Sequence, residues 1–499
     1  MTQTVLIDDP LTPQQILAVA RGAQLALSDQ AIARIKMARD IVEAFVDSGA
    51  RGYGINTGVG ALCDIVISAE NQSALSHNIL FSHACGMGEP LEIEAVRAIM
   101  ATQINNYALG KSGLSWDCVE VLLLLLNAGI TPVVPSRGSV GYLTQTASIG
   151  LLVVGAGQAT LDGKLISANE ALTKIGRTPR VLQAKEGLSL VNGTPCATGL
   201  AILAHARISE LANWADAASA LSYSVLARQS ETFTGSTVML RRSAGVQVTT
   251  ENLLGWLDGV ARAPEAKRST QDPLSLRAIP QVHGAIRDEL SQIHDVLATE
   301  LCGVSDNPTV GGTPSEPKVF SQANAVGAAV AFAADRISIV AAQLGAISER
   351  RVDRLVNPLV SDLPAFLTTE AGTGSGFMIA QYTATSLVNE NRMLGTPASL
   401  GNGITSGLQE DILTHATPAA EKALRVVRNV GLILSIELLC GAQAQDLITE
   451  DLQRGSRLQQ LHRMLRAAVP IYKDDRPLNA DIERMFDEIS GQKPPFELA

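Results

Sequence analysis

The chain is predicted to be mainly α-helical, and three features of the sequence carry that reading. Apolar residues make up 46% of it while aromatics make up 4%, a balance dominated by Ala and Leu that suits long, close-packed helices better than sheets. Apolar positions recur at a 3.6-residue period over most of the length. Across 499 residues no linker, low-complexity tract or charge block marks a border, so one continuous architecture is expected.

Charge and cysteine usage narrow the function. A net charge of −10, a pI near 5.3 and the lack of a basic run with interleaved aromatics argue against a nucleic-acid partner and for small-molecule chemistry. The six cysteines are scattered with no CxxC pair, so neither a metal site nor a disulfide framework is expected, as in a reduced cytoplasm. The N-terminus lacks a basic region followed by an apolar core, and the apolar runs at 121–126 and 149–154 are too short to span a bilayer. A soluble, cytoplasmic protein with no membrane partner is the expectation.

Taken in order, residues 12–20 and 28–48 read as amphipathic helices, each introduced by a residue able to cap the first turn. Residues 51–60 break the pattern with four glycines around Tyr53, Asn56 and Thr57. Such a segment is either a glycine-rich turn or a mobile lid whose phenol serves as acid or base. A helical stretch from Ser73 then ends at a Gly-x-Gly stop near residue 88. On it His77 should face solvent, while His83 is either structural or in contact with substrate. The 3.6-residue period returns from 90 to 128, with 121–126 apolar on all sides and hence buried.

Residues 132–150 form a loop stiffened by Pro132 and Pro135 and loosened by Gly138 and Gly141 before an apolar helix start. It is either a plain helix entry or a place to hold an anionic or hydrogen-bonding ligand. A hairpin or turn region is expected at 155–175, and an Asn192-Gly193 turn before a buried helix at 197–209; the Asn192 amide is open to a turn role or a substrate role. Residues 271–284 make a polar island whose Arg277 has the planar fork suited to a carboxylate. Very long helices are expected from there to Arg354, interrupted by a loop at 305–318, and again over 376–390. Glu390 lies within an apolar helix and wants a cationic or N–H partner. Residues 401–407 are another glycine-rich loop, helices run on to about Asp446, and the proline-marked end reads as a peripheral cap.

Nine of these islands in sequence order resemble one family, the histidine and aromatic amino-acid ammonia-lyases. Tyr53-Gly54-Ile55-Asn56-Thr57-Gly58 resembles its inner lid, Phe81-Ser82-His83-Ala84 its substrate-selecting pair, and residues 132–141 the entry to its cofactor motif. Leu190-Val191-Asn192-Gly193-Thr194, residues 271–277, Ser348-Glu349-Arg350-Arg351, residues 377–384, Asn389-Glu390-Asn391 and Gln409-Glu410-Asp411 continue the match. The resemblance implies a long central helical bundle of the ammonia-lyase (fumarase-like) type, assembled as a homotetramer with shared active sites. Along the chain it implies an N-terminal region, 1–200, holding the lid and the loop at 132–150, a long-helix bundle, 201–446, and a helical cap, 447–499. It makes Tyr53 the base for the β-proton, Arg277 the carboxylate anchor and Asn192 a polar positioner. Ser82 and His83 with Glu390 resemble the histidine-selective branch and would grip an imidazole.

Three departures shape the expected chemistry. In the family Gly-Ser-Val-Gly is followed by Ala-Ser-Gly-Asp-Leu, whose Ala-Ser-Gly cyclises to the electrophile methylidene-imidazolone. Here Gly141 is followed directly by Tyr142-Leu143, so the tripeptide is absent, Tyr142 stands where the family has aspartate, and Leu274 stands where it has tyrosine. With no electrophile and no cofactor, the expected substrate is a histidine betaine, ergothioneine or hercynine, which loses trimethylamine without amine capture, as in the family's ergothionase branch. Tyr142 then either offers its ring face to the trimethylammonium or merely packs the loop, with Tyr382 a second aromatic candidate. For Tyr53 to act as base its pKa must fall well below about 10, helped by the substrate's cation. The alternatives are a conventional histidine ammonia-lyase, making urocanate and ammonia, whose modified residue is left out of the written sequence, and a tetrameric relative that binds without catalysis.

Overall fold

The capping signals at the start of the chain become helix ends. Thr12 caps the helix Pro13–Ala20 in a reciprocal pair with Gln15, and the Ser28 hydroxyl accepts the Ala31 N–H at the start of Asp29–Asp47. Each satisfies amides that the first turn leaves without intrahelical partners. The structure is a computed structural model describing residues 3–229, 232–238, 240–261, 269–448 and 455–496. It is mainly helical, with short strands among the connections.

The chain divides into two compact units, each assembled from separated segments. The first comprises Met1–Ala204, His294–Asp335 and Pro397–Leu424; the second comprises His205–Ile293, Arg336–Thr396 and Arg425–Ala499. Four of the five borders fall inside long helices, Pro195–Leu226, Ile279–Cys302, Ala328–Val356 and Ala416–Leu447, and the fifth follows the helix Met378–Leu394.

Within the second unit these helices close over buried charge. Arg351 Nε and Nη2 donate to Glu437 Oε1 and Oε2 at 2.6 and 2.9 Å, and Ser222 and Ser348 donate to the same carboxylate at 2.7 and 2.6 Å. Nearby in the sequence of Ile279–Cys302, His283 Nδ1 lies 2.7 Å from Asp216 Oδ1, and Arg287 reaches Asp216 Oδ2 at 2.6 Å. His283 was expected in a polar island; it is fully buried. Burial is tolerable because each charge finds a partner.

The first unit carries the small sheets. Thr4–Ile7 pairs in parallel with Gln24–Leu27, Met87–Pro90 pairs antiparallel with Pro135–Arg137, and Thr131–Pro132, Gln158–Leu161 and Lys164–Ser167 form a three-stranded sheet. The last two strands are the hairpin expected at 155–175.

Three expectations change. The helix read as 197–209 runs over Pro195–Leu226, because burial on nearly all sides erases the one-faced pattern that would mark its extent. The loop expected at 305–318 contains the hairpin Thr309–Thr313 with Glu316–Phe320, whose Val310 and Val319 pack against Ile41, Val42 and Phe45 of Asp29–Asp47. Two stretches, Glu186–Leu226 and Ala328–Val356, are long and apolar enough to cross a membrane, but 100% and 61% of their apolar windows are buried inside the fold. Core helices pass the same test of length and composition.

Candidate active site

Tyr53 is positioned by a loop that bonds to itself. Asn56 Oδ1 accepts the Gly52 N–H at 2.9 Å, Asn56 Nδ2 donates to Ala50 O at 2.8 Å, and Thr57 Oγ1 accepts the Gly54 N–H at 3.1 Å. Ile55, fully buried, anchors the loop in the cluster of Ala38, Ile41, Val42 and Phe45. The Tyr53 hydroxyl oxygen accepts the Gly60 N–H at 3.0 Å. Gly60 has φ +56, a left-handed backbone that favours glycine, and a Cβ there would lie 2.1 Å from Ser406 Oγ, so that the serine hydroxyl would have to move. Ser406 Oγ also accepts the Ala61 N–H at 3.1 Å. The glycines read as lid hinges here serve a closed, tied loop.

The loop at 132–150 meets the same segment. Ser139 Oγ accepts the Gly141 N–H at 3.0 Å and donates to Tyr142 O at 2.9 Å. Val140 O accepts the His415 N–H at 2.8 Å, and Thr417 Oγ1 donates to Gly141 O at 3.1 Å. The Tyr142 hydroxyl, carried by this stitched backbone, donates to Glu410 Oε2 at 3.2 Å. Leu143 follows at φ +84 and ψ −56, a left-handed conformation that costs a branched residue about 1–3 kcal/mol and is typical of over-determined functional loops.

Tyr53, Tyr142 and Glu410 thus form one electrostatic group drawn from three segments. Burial, then the Glu410 carboxylate, pushes the Tyr142 hydroxyl far above its ordinary pKa. Burial also raises Tyr53; the Gly60 N–H opposes that and Glu410 adds to it. The lowering sought for Tyr53 is therefore absent from the free protein, where it is a neutral phenol. Glu410 was visible in the sequence only as the middle of Gln409-Glu410-Asp411, without a role.

Ser82 and His83 end the helix Gln72–His83. His83 Nδ1 lies 2.7 Å from Ile79 O and 3.1 Å from Ser82 Oγ; a carbonyl only accepts, so Nδ1 carries the proton and Nε2 keeps its lone pair. Burial lowers the His83 pKa against the pull of Ile79 O, favouring this neutral form. The pairing of Met87–Pro90 with Pro135–Arg137 carries the chain just after His83 alongside the loop of Tyr142. His77 is exposed, as expected, and stacks on Phe81 at 4.2 Å between centroids.

Asn192 caps the C-terminus of Glu186–Val191. Thr146 Oγ1, on the helix that follows Tyr142, donates to Val191 O at 2.5 Å, which sets Asn192 beside that helix. Arg277, Tyr382 and Glu390 belong to the second unit. Arg277 ends the short helix Leu274–Arg277, and the Gln271 amide oxygen, turned toward it, accepts its guanidinium N–H groups at 2.8–3.1 Å. Tyr382 is 64% exposed. Glu390 has the cationic partner it called for, Arg425 at 3.0 Å, but on a partly exposed face. Among the described residues, no group of three or more His, Cys, Asp or Glu side chains is arranged to hold a metal.

A family profile described as "Aromatic amino acid lyase" matches residues 11–467. The chain belongs to the aromatic amino acid lyase family. It is 41% identical over 484 residues to a protein of Symbiobacterium thermophilum named histidine ammonia-lyase, covering 96% of this chain and 94% of that one. The crystal structure of histidine ammonia-lyase from Trypanosoma cruzi superposes with a TM-score of 0.89 at 35% identity, covering 98% of this lyase-family chain and 94% of its counterpart.

These likenesses overturn the expected betaine substrate. Treponema denticola supplies two comparisons. Its protein named histidine ammonia-lyase is 39% identical over 97% of this chain and 96% of its own. Its ergothionase, in complex with desmethyl-ergothioneine sulfonic acid, has a TM-score of 0.91 but is 27% identical, over 98% and 99% of the two chains. Whole-chain likeness therefore runs to ammonia-lyases rather than to the trimethylamine-releasing reaction that the altered loop suggested. A single loop is a small part of the chain, and the likeness sums over all of it.

The family's methylidene-imidazolone does not fit the residues present in this lyase. The Ala-Ser-Gly from which it forms is missing, Gly141 is bonded directly to Tyr142, and the Tyr142 side chain reaches instead to Glu410. No step of the chemistry is assigned to that group.

Proposed function

We propose that this chain is a carbon–nitrogen lyase acting on histidine, releasing ammonia and leaving urocanate. The observation that carries the reading is the identity of 36–41%, over more than nine-tenths of the chain, to relatives named histidine ammonia-lyase. The neutral His83 supports it, since its Nε2 lone pair suits an imidazole N–H; Ser82 adds a second polar contact, and Glu390 remains a candidate for the same ring.

In this reading the elimination moves a proton from Cβ to a base, forms the carbon–carbon double bond and releases the amine. Tyr53 is the base. Glu410 raises its pKa in the free protein, and a substrate ammonium placed beside that carboxylate acts in the opposite sense, favouring the phenolate. The same carboxylate keeps the amine protonated, the form from which it departs as neutral ammonia. Tyr142 holds Glu410, Arg277 takes the substrate carboxylate by its planar fork, and Asn192 and Tyr382 complete the contacts. Assembly as a homotetramer is part of the proposal, and the exposed apolar side chains Ile379, Tyr382 and Met393 on Met378–Leu394 favour it.

The test offers L-histidine, ergothioneine and hercynine side by side and follows ammonia, trimethylamine and the conjugated acrylate absorbance. Ammonia with acrylate from histidine is expected. Trimethylamine from a betaine with no ammonia from histidine would overturn the reading. Intact mass of the purified chain checks separately that no residues lie between Gly141 and Tyr142.

A further inference from the structure

The Asn192 amide is fixed from behind by a saturated buried network. Its Nδ2 donates to Asp306 Oδ1 at 3.0 Å and to Asn307 O at 2.6 Å. A carboxylate and a carbonyl only accept, so the nitrogen must face them and the amide has one orientation. Its Oδ1 accepts the Gly193 N–H at 3.0 Å, which leaves one lone pair. Asp306 in turn spends Oδ1 on the Asn307 N–H at 2.7 Å as well, and gives Oδ2 to Lys185 Nζ at 3.1 Å. Lys185 Nζ places its other protons on Ser112 O at 2.6 Å and Ser189 Oγ at 3.0 Å.

The backbone around the amide is held just as closely. Gly193 has φ +92, and a Cβ on it would come within 2.2 Å of Ser305 O, so the turn after Asn192 is pressed against the segment that supplies Asp306. The Lys185 and Asp306 side chains are 0% and 1% exposed. Neither can touch a substrate. A buried ion pair with no access to the reaction is a costly feature to keep for stability alone, since apolar replacements of similar size are often neutral or better.

We infer that Asp306 is a positioning residue for the elimination, its Oδ1 locking the Asn192 amide so that it offers the substrate an oxygen and no N–H, while Lys185 compensates the buried carboxylate through Oδ2. The substrate group that meets Asn192 is then an N–H donor, the ammonium or a ring nitrogen. The inference rests on the proposed lyase function and on Asn192 lying in its substrate site.

The experiment compares two charge-neutral double variants, so that neither leaves a buried charge unpaired. Lys185→Met with Asp306→Asn keeps an acceptor for Asn192; Lys185→Met with Asp306→Leu removes it. Both are made in the parent chain and in Asn192→Ala, and kcat and KM for L-histidine are read beside the thermal midpoint. The asparagine pair is expected to stay within about threefold of the parent kcat, and the leucine pair to lose about tenfold or more, the scale of a misplaced contact group. In the Asn192→Ala background the two pairs should differ by less than about twofold.

Equal kcat for the two pairs in the active parent, or the same tenfold gap without Asn192, would overturn the positioning role. Should the leucine pair fail to fold, serine at 306, too short to reach Asn192, replaces it with the same expectations. A parent chain with no turnover of histidine would instead sink the proposed function, and the inference would fall with it.

Discussion

The Tyr142 hydroxyl donates to Glu410 Oε2 across 3.2 Å, joining residues 268 positions apart in the chain. This contact ties the loop that departs most from the family to the carboxylate that also acts on Tyr53. Tyr142→Phe deletes the bond and leaves the ring in place. The expected loss of stability is about 1 kcal/mol, below the usual range for a bond to a charged group because both ends are partly solvated. Urea unfolding checks this, and Glu410→Gln in the Tyr142→Phe background should cost less than it does alone.

Tyr53→Phe keeps the ring in the lid and removes the candidate base. The kcat for histidine should fall by about 10²–10⁴-fold, the usual contribution of a positioned acid or base, with KM changed far less. Near-parental turnover would remove Tyr53 from the mechanism. The Gly60 N–H loses its acceptor in this variant, so a stability loss of about 1 kcal/mol accompanies it.

His83 sets an acid limb. Burial holds its folded pKa below the unfolded value of about 6.5, so below that value the unfolded chain binds the proton more readily. Stability is full above pH about 6.5 and is lost as pH falls through the folded pKa. Protonation also turns the Nε2 acceptor into a donor, so kcat/KM for histidine should drop over the same range. In His83→Gln, whose amide does not titrate, the remaining acid limb is the substrate's own; an unchanged profile would exclude His83 from imidazole recognition.

Arg351→Met strands the Glu437 carboxylate, which two serines alone then face. A loss of about 3–5 kcal/mol is expected in denaturant unfolding. Adding Glu437→Leu should recover most of it, because the pair is then replaced by apolar bulk.

Glu390→Gln separates two roles. The Arg425 bridge is partly exposed at both ends, so the stability cost should stay below about 1 kcal/mol. A rise in KM for histidine at unchanged thermal midpoint would mark Glu390 as a substrate contact; unchanged KM leaves it as a surface ion pair.

Much of the local structure was legible because its causes are local. Thr12 with Gln15 and Ser28 announce helix starts through their own side chains, and the hairpin Gln158–Leu161 with Lys164–Ser167 is set by a tight Asp162-Gly163 turn. The hairpin at 309–320 was missed because Gly311, Gly312 and Pro317 spoil its alternation, and its apolar face exists only once Val310 and Val319 meet Phe45 and its neighbours. The extent of Pro195–Leu226 was missed because a helix buried all round shows no polar stripe to follow.

By itself the sequence determined the helical class, the family and the individual side chains available for chemistry, since composition, periodicity and ordered motifs are properties of neighbours along the chain. Only the tertiary structure decided how those side chains are held. It placed Glu410 on Tyr142, raised rather than lowered the Tyr53 pKa, fixed which nitrogen of His83 carries the proton, and turned the Asn192 amide onto Asp306. Each of these depends on burial and on partners far apart in the chain, and neither exists until the chain has folded.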